Sequence, residues 1–182
     1  VTVLHFDNRP FADDREVEKA RRIVERLREL HGRVPARLVP HGSTFHAAMR
    51  ERPPERLHCV LCKRFMLRVA SRFARTVGAT GVVTGDSLGQ VASQTLQNLA
   101  VEQQALEGLP AVRPLVGFDK SEVTEIAREI GTYDLSTAPG TACTEAPGRP
   151  SVAARTVDAE AVEGSIGVED LVHRALEGMV EW

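Results

Sequence analysis

The stretch that decides the fold, His58–Ser93, reads HCVLCKRFMLRVASRFARTVGATGVVTGDSLGQVAS. It contains a Cys-x-x-Cys pair, a basic helix predicted over Cys62–Val77, an apolar strand predicted over residues 80–84, and a polar loop bounded by glycines. Open α/β sheets bind ligands beyond the carboxyl ends of their parallel strands. We therefore expect the functional site at the polar loop, residues 85–89.

The rest of the chain alternates predicted strands with predicted helices. Further strands are predicted at Val1–Phe6, Ala36–His41 and Ala111–Val116. Further helices are predicted from the Asp13/Asp14 cap to His31, and over residues 43–50, 90–106 and 168–182. One more helix is predicted after Asp119, which with Glu122 forms a capping box. Residues 134–150 are predicted to form a loop. The alternation favours an α/β fold with a doubly wound parallel sheet and helices on both faces.

Composition narrows the class of protein. The chain has 182 residues, of which 42% are hydrophobic and 26% charged, as expected for one α/β domain. A net charge of −2 provides no global basic field for nucleic acid, so any RNA contact must be local. No apolar run approaches the roughly 20 residues that span a bilayer. Three cysteines favour a reducing cytoplasm over a secreted disulfide framework.

The cysteines are the first candidate site. Cys59 and Cys62 lie at the start of the predicted helix, where the helix dipole favours a thiolate, and Cys143 follows in a Pro/Gly-rich loop. A zinc site would need a fourth ligand, which His58 or His41 could supply. Three thiolates with one open position suit an iron–sulfur cluster. A redox dithiol and two buried structural cysteines are the remaining alternatives.

Cations at predicted helix starts form the second candidate site. Lys63 and Arg64 lie at the positive end of their helix, and Lys120 directly follows the Asp119 cap. This position is unfavourable for a cation by a few tenths of a kcal/mol. A solvated side chain explains any one of them. The repeated occurrence of such cations beside strand ends indicates that an anion, such as phosphate, binds there.

Two regular polar rows add weaker candidates. An amide row, which would face either solvent or a nucleobase edge, consists of Gln90, Gln94 and Asn98. An arginine row, which would be either a solvated face or an RNA phosphate track, consists of Arg68, Arg72 and Arg75.

Three motifs together resemble one known family. They are VVTGDSLGQVASQTLQNL at Val82–Leu99, VRPLVGFDKSEVTEIAREIGT at Val112–Thr132, and CKRFMLRVASRFA at Cys62–Ala74. In their order along the chain, and with Cys143 following, they resemble the ATP-dependent tRNA 4-thiouridine synthetases (tRNA sulfurtransferases) of the PP-loop superfamily. The resemblance covers roughly residues 1–155, as the C-terminal part of a PP-loop domain. Residues 156–182 form a predicted helical extension.

The resemblance implies roles for individual residues. Lys63, Gly85 and Gln94 match positions that bind ATP, with Mg²⁺, in this family. Lys120 matches a lysine needed for activity. Cys143 matches the cysteine that handles the transferred sulfur. The implied reaction adenylates a uridine of tRNA and then replaces the activated oxygen with sulfur.

The cysteine pattern resembles that of archaeal-type members. In these proteins three cysteines, matching Cys59, Cys62 and Cys143, hold an iron–sulfur cluster. The implied partners are tRNA and a sulfur donor, either sulfide or a persulfide carrier, in the cytoplasm; a homodimer is left open. The alternatives are a non-catalytic zinc- or cluster-binding module and sulfur transfer for thiamine biosynthesis.

Two family elements are absent from the printed sequence. The Ser-Gly-Gly-x-Asp-Ser PP-loop and the RNA-binding THUMP region do not occur in it. Val1–Phe6 resembles the strand that follows the PP-loop unit, so in a 3-2-1-4-5 sheet the missing strand would lie between Val1–Phe6 and Thr80–Thr84. We therefore expect unpaired edges in the middle of the sheet. We also expect this chain to be catalytically incomplete without a PP-loop, which another chain could carry.

Overall fold

The computed structural model describes residues 1–50, 55–91, 93–140 and 144–182. Within these ranges the helices are α1 (Asp14–His31), α2 (Ala47–Arg50), α3 (His58–Thr76), α4 (Leu96–Gln103), α5 (Lys120–Glu129), α6 (Tyr133–Thr137), α7 (Thr156–Ser165) and α8 (Val168–Glu177). The strands are β1 (Val3–Asp7), β2 (Ala36–Pro40), β3 (Val82–Val83), β4 (Ala111–Val112) and β5 (Val180–Glu181). The predicted alternation of strands and helices is confirmed.

The strands form two separate sheets. In the first, β1 pairs in parallel with β2, and β5 pairs antiparallel to β2 on its other side. In the second, β3 pairs in parallel with β4. The parallel pairs confirm the α/β class. The antiparallel β5 was not predicted; it is followed by Trp182, whose ring stacks on His5 with 5.3 Å between centroids.

A cleft of about 780 Å³ lies between the two sheets. Strand β1 lines one side, β3 lines the other, and α3 contributes apolar side chains such as Met66 and Ala70. Among the described residues, neither β1 nor β3 has a hydrogen-bonded strand neighbour on the cleft side. The cleft therefore lies where the sequence predicted that a central strand is missing.

Several element boundaries differ from the predictions. Helix α3 begins at His58 rather than Cys62, because a 3₁₀ turn at Glu55–Leu57 leads directly into it. Strand β4 stops at Val112, shortly before Pro114, which cannot donate a backbone hydrogen bond to a strand neighbour. Helix α4 is shorter than predicted, and α6 occupies part of the predicted loop.

Helix α3 runs through the main core. The buried residues of this core are Val39, Phe45, Met49, Val60, Leu61, Phe65, Val69, Val101, Ala154, Ala159, Val168, Leu171, Val172 and Ala175. Side chains of α7 and α8 thus pack into the same core as those of α3. The segment 156–182 shares its hydrophobic contacts with the segment 1–155.

A glycine permits the tight approach of two segments beside this core. Gly42 begins a π-helical turn, Gly42–His46, and a Cβ at Gly42 would overlap the backbone oxygens of Asn8 and Arg9. Gly42→Ala is therefore expected to lower the free energy of unfolding by about 1–3 kcal/mol or more, as overpacking does. Urea denaturation followed by circular dichroism measures this change.

A second glycine gives the matched control. Gly164 lies within α7, and a Cβ there would meet open space. Gly164→Ala should leave stability unchanged or raise it by roughly 0.5–1 kcal/mol, since alanine loses less conformational freedom in a helix. Equal effects of the two substitutions would contradict the close approach at Gly42.

Candidate functional site

A polar cluster lies at one end of the cleft, just after β3. Asp86 accepts a hydrogen bond from Lys63 Nζ at 2.6 Å through Oδ1, and from Thr84 Oγ1 at 2.7 Å through Oδ2. Arg113 Nε donates to the same Oδ2 at 3.3 Å. Burial alone would raise the pKa of Asp86, but the hydrogen bonds from Lys63 and Thr84 and the charges of Lys63 and Arg113 hold it below its usual range. These four residues, the Asp86 cluster, therefore contain two cations and one carboxylate.

Glu102 on α4 adjoins the Asp86 cluster and also lines the cleft. Its side chain is 1% exposed, and Lys63 Nζ lies 3.9 Å from its Oε2. Neither carboxyl oxygen has a hydrogen-bond partner among the described residues. Burial raises the pKa of Glu102 to about 8, an effect that the charge of Lys63 only partly offsets. At pH 7 the Glu102 carboxyl is therefore mainly neutral.

The loop after β3 is held by contacts within itself and with the loop after β4. Ser87 Oγ donates to the Phe118 carbonyl oxygen at 2.7 Å. Gly89, with a φ of 74°, donates its backbone N–H to the Gln94 carbonyl oxygen at 3.0 Å. Gly85 lies two residues after the end of β3 and is exposed. The side-chain oxygen of Gln94 is buried and has no hydrogen-bond partner among the described residues. The loop thus presents exposed backbone beside the Asp86 cluster.

Lys120 is the first residue of α5 and is exposed. The capping box predicted there is confirmed: the Asp119 side chain accepts from the Glu122 N–H, and the Glu122 side chain accepts from the Asp119 N–H. The helix follows Phe118, whose carbonyl oxygen binds Ser87. The structure therefore brings Lys63 and Gly85 to one strand end, and Lys120 begins a helix on the adjoining loop.

The prediction of a helical amide row is wrong. Gln90 and Gln94 precede α4, so they share no helical face with Asn98. The Asn98 side chain is buried, donates to the Ser151 carbonyl oxygen at 2.8 Å, and accepts from the Ala154 N–H at 2.8 Å. Asn98 thus anchors the chain after residue 150 rather than facing a nucleobase.

The arginine row of α3 is paired with carboxylates rather than forming an open cationic track, and it is partly solvated, since Arg72 and Arg75 are 39% and 49% exposed. Its acidic partners are Glu107, Glu163 and Glu169. Arg68 pairs with a buried carboxylate at 2.8 Å, and Arg72 pairs with two carboxylates at 2.9 Å each. Because each arginine already has a counter-charge, this face offers little net charge to RNA phosphates.

The first turns of α3 hold two of the three cysteines. Cys59 and Cys62 are both half-buried, at the positive end of the helix, which favours thiolates. Cys62 Sγ lies 3.1 Å from Nε2 of His41. Cys143 lies outside the described residues, so its position relative to the pair stays a prediction. The two cysteines that the structure describes fit a metal or cluster site, because their chemistry and placement favour deprotonated sulfur.

Three buried histidines surround this end of α3. Nδ1 of His46 lies 3.0 Å from Nε2 of His58, and the two rings stack with 5.1 Å between centroids. Burial, followed by the charges of neighbouring imidazoles, lowers the pKa of His41 to about 3 and that of His46 to about 4. Both rings are therefore neutral at pH 7.

Sequence reasoning missed four residues of these sites. They are His46, Asp86, Glu102 and Arg113. Asp86 could have been found, since it lies in the loop predicted to be functional. Glu102 gave a weaker signal, as a carboxylate three residues after the buried Leu99 on the same helix.

No helix in the described ranges combines the length and the apolar character that crossing a membrane requires.

Parallel strands joined by helices, with a polar cluster at their carboxyl ends, define part of a doubly wound α/β protein. A sequence model for the family described as thiamine biosynthesis protein (ThiI) matches residues 1–168. The chain belongs to the ThiI family.

Relatives and a solved structure agree with this assignment. The chain is 39% identical to a probable tRNA sulfurtransferase of Methanosarcina acetivorans, over 98% of this chain and 43% of the relative. It is 40% identical to one of Thermus thermophilus, over 97% of this chain and 44% of the relative. A crystal structure of a 4-thiouridine synthetase–RNA complex with bound ATP matches with a TM-score of 0.88 and 34% identity, over 98% of this chain and 47% of that chain. The chain thus spans just under half the length of these relatives.

Proposed function

We propose that the chain supplies the C-terminal part of the catalytic domain of a tRNA sulfurtransferase, which forms 4-thiouridine in tRNA at the expense of ATP with Mg²⁺. The observation that carries this proposal is the match over 98% of the chain to a 4-thiouridine synthetase bound to RNA and ATP. The relatives' names do not favour the alternatives of a non-catalytic module or a role in thiamine biosynthesis alone. We assign the reaction to the cytoplasm.

The Asp86 cluster is our candidate for the phosphate-binding part of the ATP site. Lys63 is held by Asp86 at the cleft mouth, and Nη2 of Arg113 is buried without a hydrogen-bond partner among the described residues. Both cations can balance phosphate charge as it develops during adenylation. We assign nucleotide contacts to Gly85 and Gln94, and a second phosphate-balancing role to Lys120.

The chemistry explains why ATP is used. A uridine carbonyl oxygen is a poor leaving group, whereas the AMP formed by adenylation leaves readily. Sulfide attacks C4 of the adenylated uridine, the C4–O bond breaks, and AMP leaves with the oxygen. With a persulfide carrier, the same attack gives a disulfide-linked intermediate, and a second thiol then releases 4-thiouridine by forming a disulfide with the carrier. Lys63, at the mouth of the cleft, would neutralise the phosphate charge in both steps.

We assign Cys59, Cys62 and Cys143 to an iron–sulfur cluster, with Cys143 also handling the transferred sulfur. When bound, such a cluster supplies an iron that can hold an incoming sulfur ligand. The role of this chain is to present thiolates. The positive end of α3 favours the deprotonated form of both Cys59 and Cys62.

The cleft supports a further part of the proposal. In the part of the chain that the structure describes, β1 and β3 have no strand partner on the cleft side, and the printed sequence contains no PP-loop motif. We propose that a strand carrying a PP-loop, from the same protein or from another chain, pairs with both edges. This chain by itself should therefore not adenylate tRNA.

The test measures tRNA-dependent release of pyrophosphate and formation of 4-thiouridine, with this chain alone and with a second polypeptide that carries the strand and PP-loop. Activity is expected only from the combination. Lys63→Met in the combination should lower the rate by roughly 10²–10³-fold, as loss of a charge-stabilising donor does.

Lys19→Met is the matched control, because Lys19 pairs with Glu16 on α1 and does not line the cleft. Its rate should stay close to that of the unmodified chain. Activity of the chain alone, or equal losses in the two lysine variants, would overturn the proposal.

A further inference from the structure

Three potential metal ligands converge where β2, the π-helical turn and α3 meet. His41 follows β2, His46 ends the turn, and Cys62 lies on the second turn of α3. One ligand atom from each residue lies within 4.8 Å of the other two. Both imidazoles are about 99–100% buried. A single ion could therefore reach two nitrogens and one sulfur with small side-chain adjustments.

The surroundings of the histidines indicate a use beyond packing. Nδ1 of His41 is buried and has no hydrogen-bond partner among the described residues. Leaving a buried polar atom unsatisfied costs on the order of 1–3 kcal/mol. An apolar residue of similar volume would avoid that cost among neighbours such as Phe45 and Phe65, whose rings contact His41. The other ring nitrogen of His41, Nε2, lies 3.1 Å from Cys62 Sγ and is therefore placed to bind an ion together with that sulfur.

His46 has the second contact that metal-binding histidines typically show. Its Nε2 lies 3.2 Å from Oδ1 of Asn8, an atom that can only accept a hydrogen bond. Nε2 of His46 therefore carries the proton, and the lone pair of Nδ1 accepts a hydrogen bond from Nε2 of His58 at 3.0 Å, a contact that a bound ion would replace. A hydrogen bond from the second nitrogen to an oxygen fixes the tautomer and orientation of a metal-binding ring.

We propose that His41, His46 and Cys62 bind a single divalent ion of the zinc class in a chain that does not carry the cluster. Two imidazoles and one thiolate form a ligand set typical of zinc, and three protein ligands leave the fourth position open to solvent or an exogenous sulfur ligand. This site goes beyond the proposed function. It shares Cys62 with the assigned cluster, so one chain holds either the ion or the cluster.

The test uses Co²⁺ as a spectroscopic probe on the full chain after removal of metal with a chelator. A tetrahedral Co²⁺–thiolate site gives a sulfur-to-metal charge-transfer band and strong visible bands. We expect saturation at one Co²⁺ per chain, and loss of the charge-transfer band and of the visible bands when Zn²⁺ is added. No ATP, RNA or catalytic activity is involved, so this outcome is independent of the proposed function.

Four variants separate the ion site from the three-cysteine set. Cys62→Ser should abolish the charge-transfer band, and His46→Gln should weaken Co²⁺ binding by roughly 10–100-fold or more. Asn8→Ala, which leaves all three ligands in place, should weaken it by roughly tenfold. Cys59→Ser should bind Co²⁺ as the unmodified chain does.

The reverse pattern overturns the proposal. Binding that is lost in Cys59→Ser but retained in His46→Gln would assign the ion to the cysteines alone. Absence of the charge-transfer band in the unmodified chain would remove the site altogether. Circular dichroism of each variant checks folding; should His46→Gln fail to fold, Asn8→Ala and Cys62→Ser still decide, because neither removes a fully buried side chain.

Discussion

Glu163→Gln is expected to lower the free energy of unfolding by about 3–5 kcal/mol, as loss of one partner of a buried ion pair does. Both Glu163 oxygens accept from Arg64, at 2.7 Å each, and one also accepts from Arg68 at 2.8 Å. The Arg64 side chain is 1% exposed. The neutral amide would leave the Arg64 guanidinium buried without a counter-charge.

The effect of Glu163→Gln should shrink in acid. Burial alone would raise the pKa of Glu163, but the hydrogen bonds and charges of Arg64 and Arg68 outweigh it and hold the pKa below its usual range. A carboxylate with a lowered pKa in the folded state contributes stability above its unfolded pKa, and this is lost as pH falls through the folded pKa. The difference between Glu163→Gln and the unmodified chain should therefore be full at pH 7, begin to shrink below the ordinary glutamate pKa, and become small only once pH has fallen through the lowered pKa of folded Glu163.

Urea denaturation at pH 7 measures the loss. Glu160→Gln is the matched control, because Glu160 is exposed on the same helix, α7, and its removal should change stability by no more than roughly 0.5 kcal/mol. A loss below about 1 kcal/mol for Glu163→Gln would show that solvent reaches Arg64.

This ion pair illustrates what the sequence could not predict. Arg64 and Glu163 are 99 residues apart. In sequence, Arg64 was assigned with Lys63 to a solvated or anion-binding position at a helix start. Only the packing of α7 against α3 shows that it is buried. Pairings between distant segments leave no local pattern, since side-chain spacing reports only neighbours on one element.

Local signals, in contrast, predicted local structure well. Asp13 caps α1, and Asp119 with Glu122 forms the capping box of α5, as their positions before apolar periodic stretches indicated. These predictions succeeded because capping depends on backbone groups within three residues of the cap. Strand ends were predicted less well: β3 is short because each of its ends depends on pairing partners elsewhere in the chain.

The candidate sites show the same difference between local features, which the sequence can predict, and contacts between distant segments, which it cannot. Lys63 was predicted from an expected place at a helix start, but α3 begins at His58, so Lys63 lies in the second turn and belongs to the site through its contact with Asp86. Asp86, which binds it from 23 residues further along, was not singled out. His41 was considered only as a fourth ligand for zinc, and His46 was missed. Their approach to Cys62 depends on the π-helical turn, which sequence periodicity did not indicate.

The second large effect is expected at Glu102, with the opposite sign to that at Glu163. Glu102→Gln should stabilise the chain, and the gain should grow by about 4 kcal/mol between pH 5 and pH 9. The reason is that burial raises the pKa of Glu102 to about 8 from a usual value of 4.5, while its carboxyl oxygens lack hydrogen-bond partners among the described residues. A glutamine is neutral throughout this range.

The sign follows from proton binding. Between the unfolded and folded pKa values, the folded chain keeps the Glu102 proton and the unfolded chain releases it, so the stability of the unmodified chain falls as pH rises through this window. Below about pH 4.5 the carboxyl is protonated in both states, and above about pH 8 the loss is complete. Urea denaturation of the unmodified chain and of Glu102→Gln at pH 5, 7 and 9 gives the difference in their free energies of unfolding. The contributions of other titrating groups are the same in both chains and cancel in this difference.

Glu160→Gln, whose side chain is exposed, should show no comparable trend across the same pH values. A pH-independent gain for Glu102→Gln would contradict the raised pKa.

The same measurement also reports on the cleft, because Glu102 lines it and lies 3.9 Å from Lys63. A strand or ligand that donates hydrogen bonds to the Glu102 carboxylate from within the cleft would lower its pKa and flatten the pH dependence of the unmodified chain. Repeating the titration with a PP-loop polypeptide present would therefore show whether the cleft is filled beside Lys63.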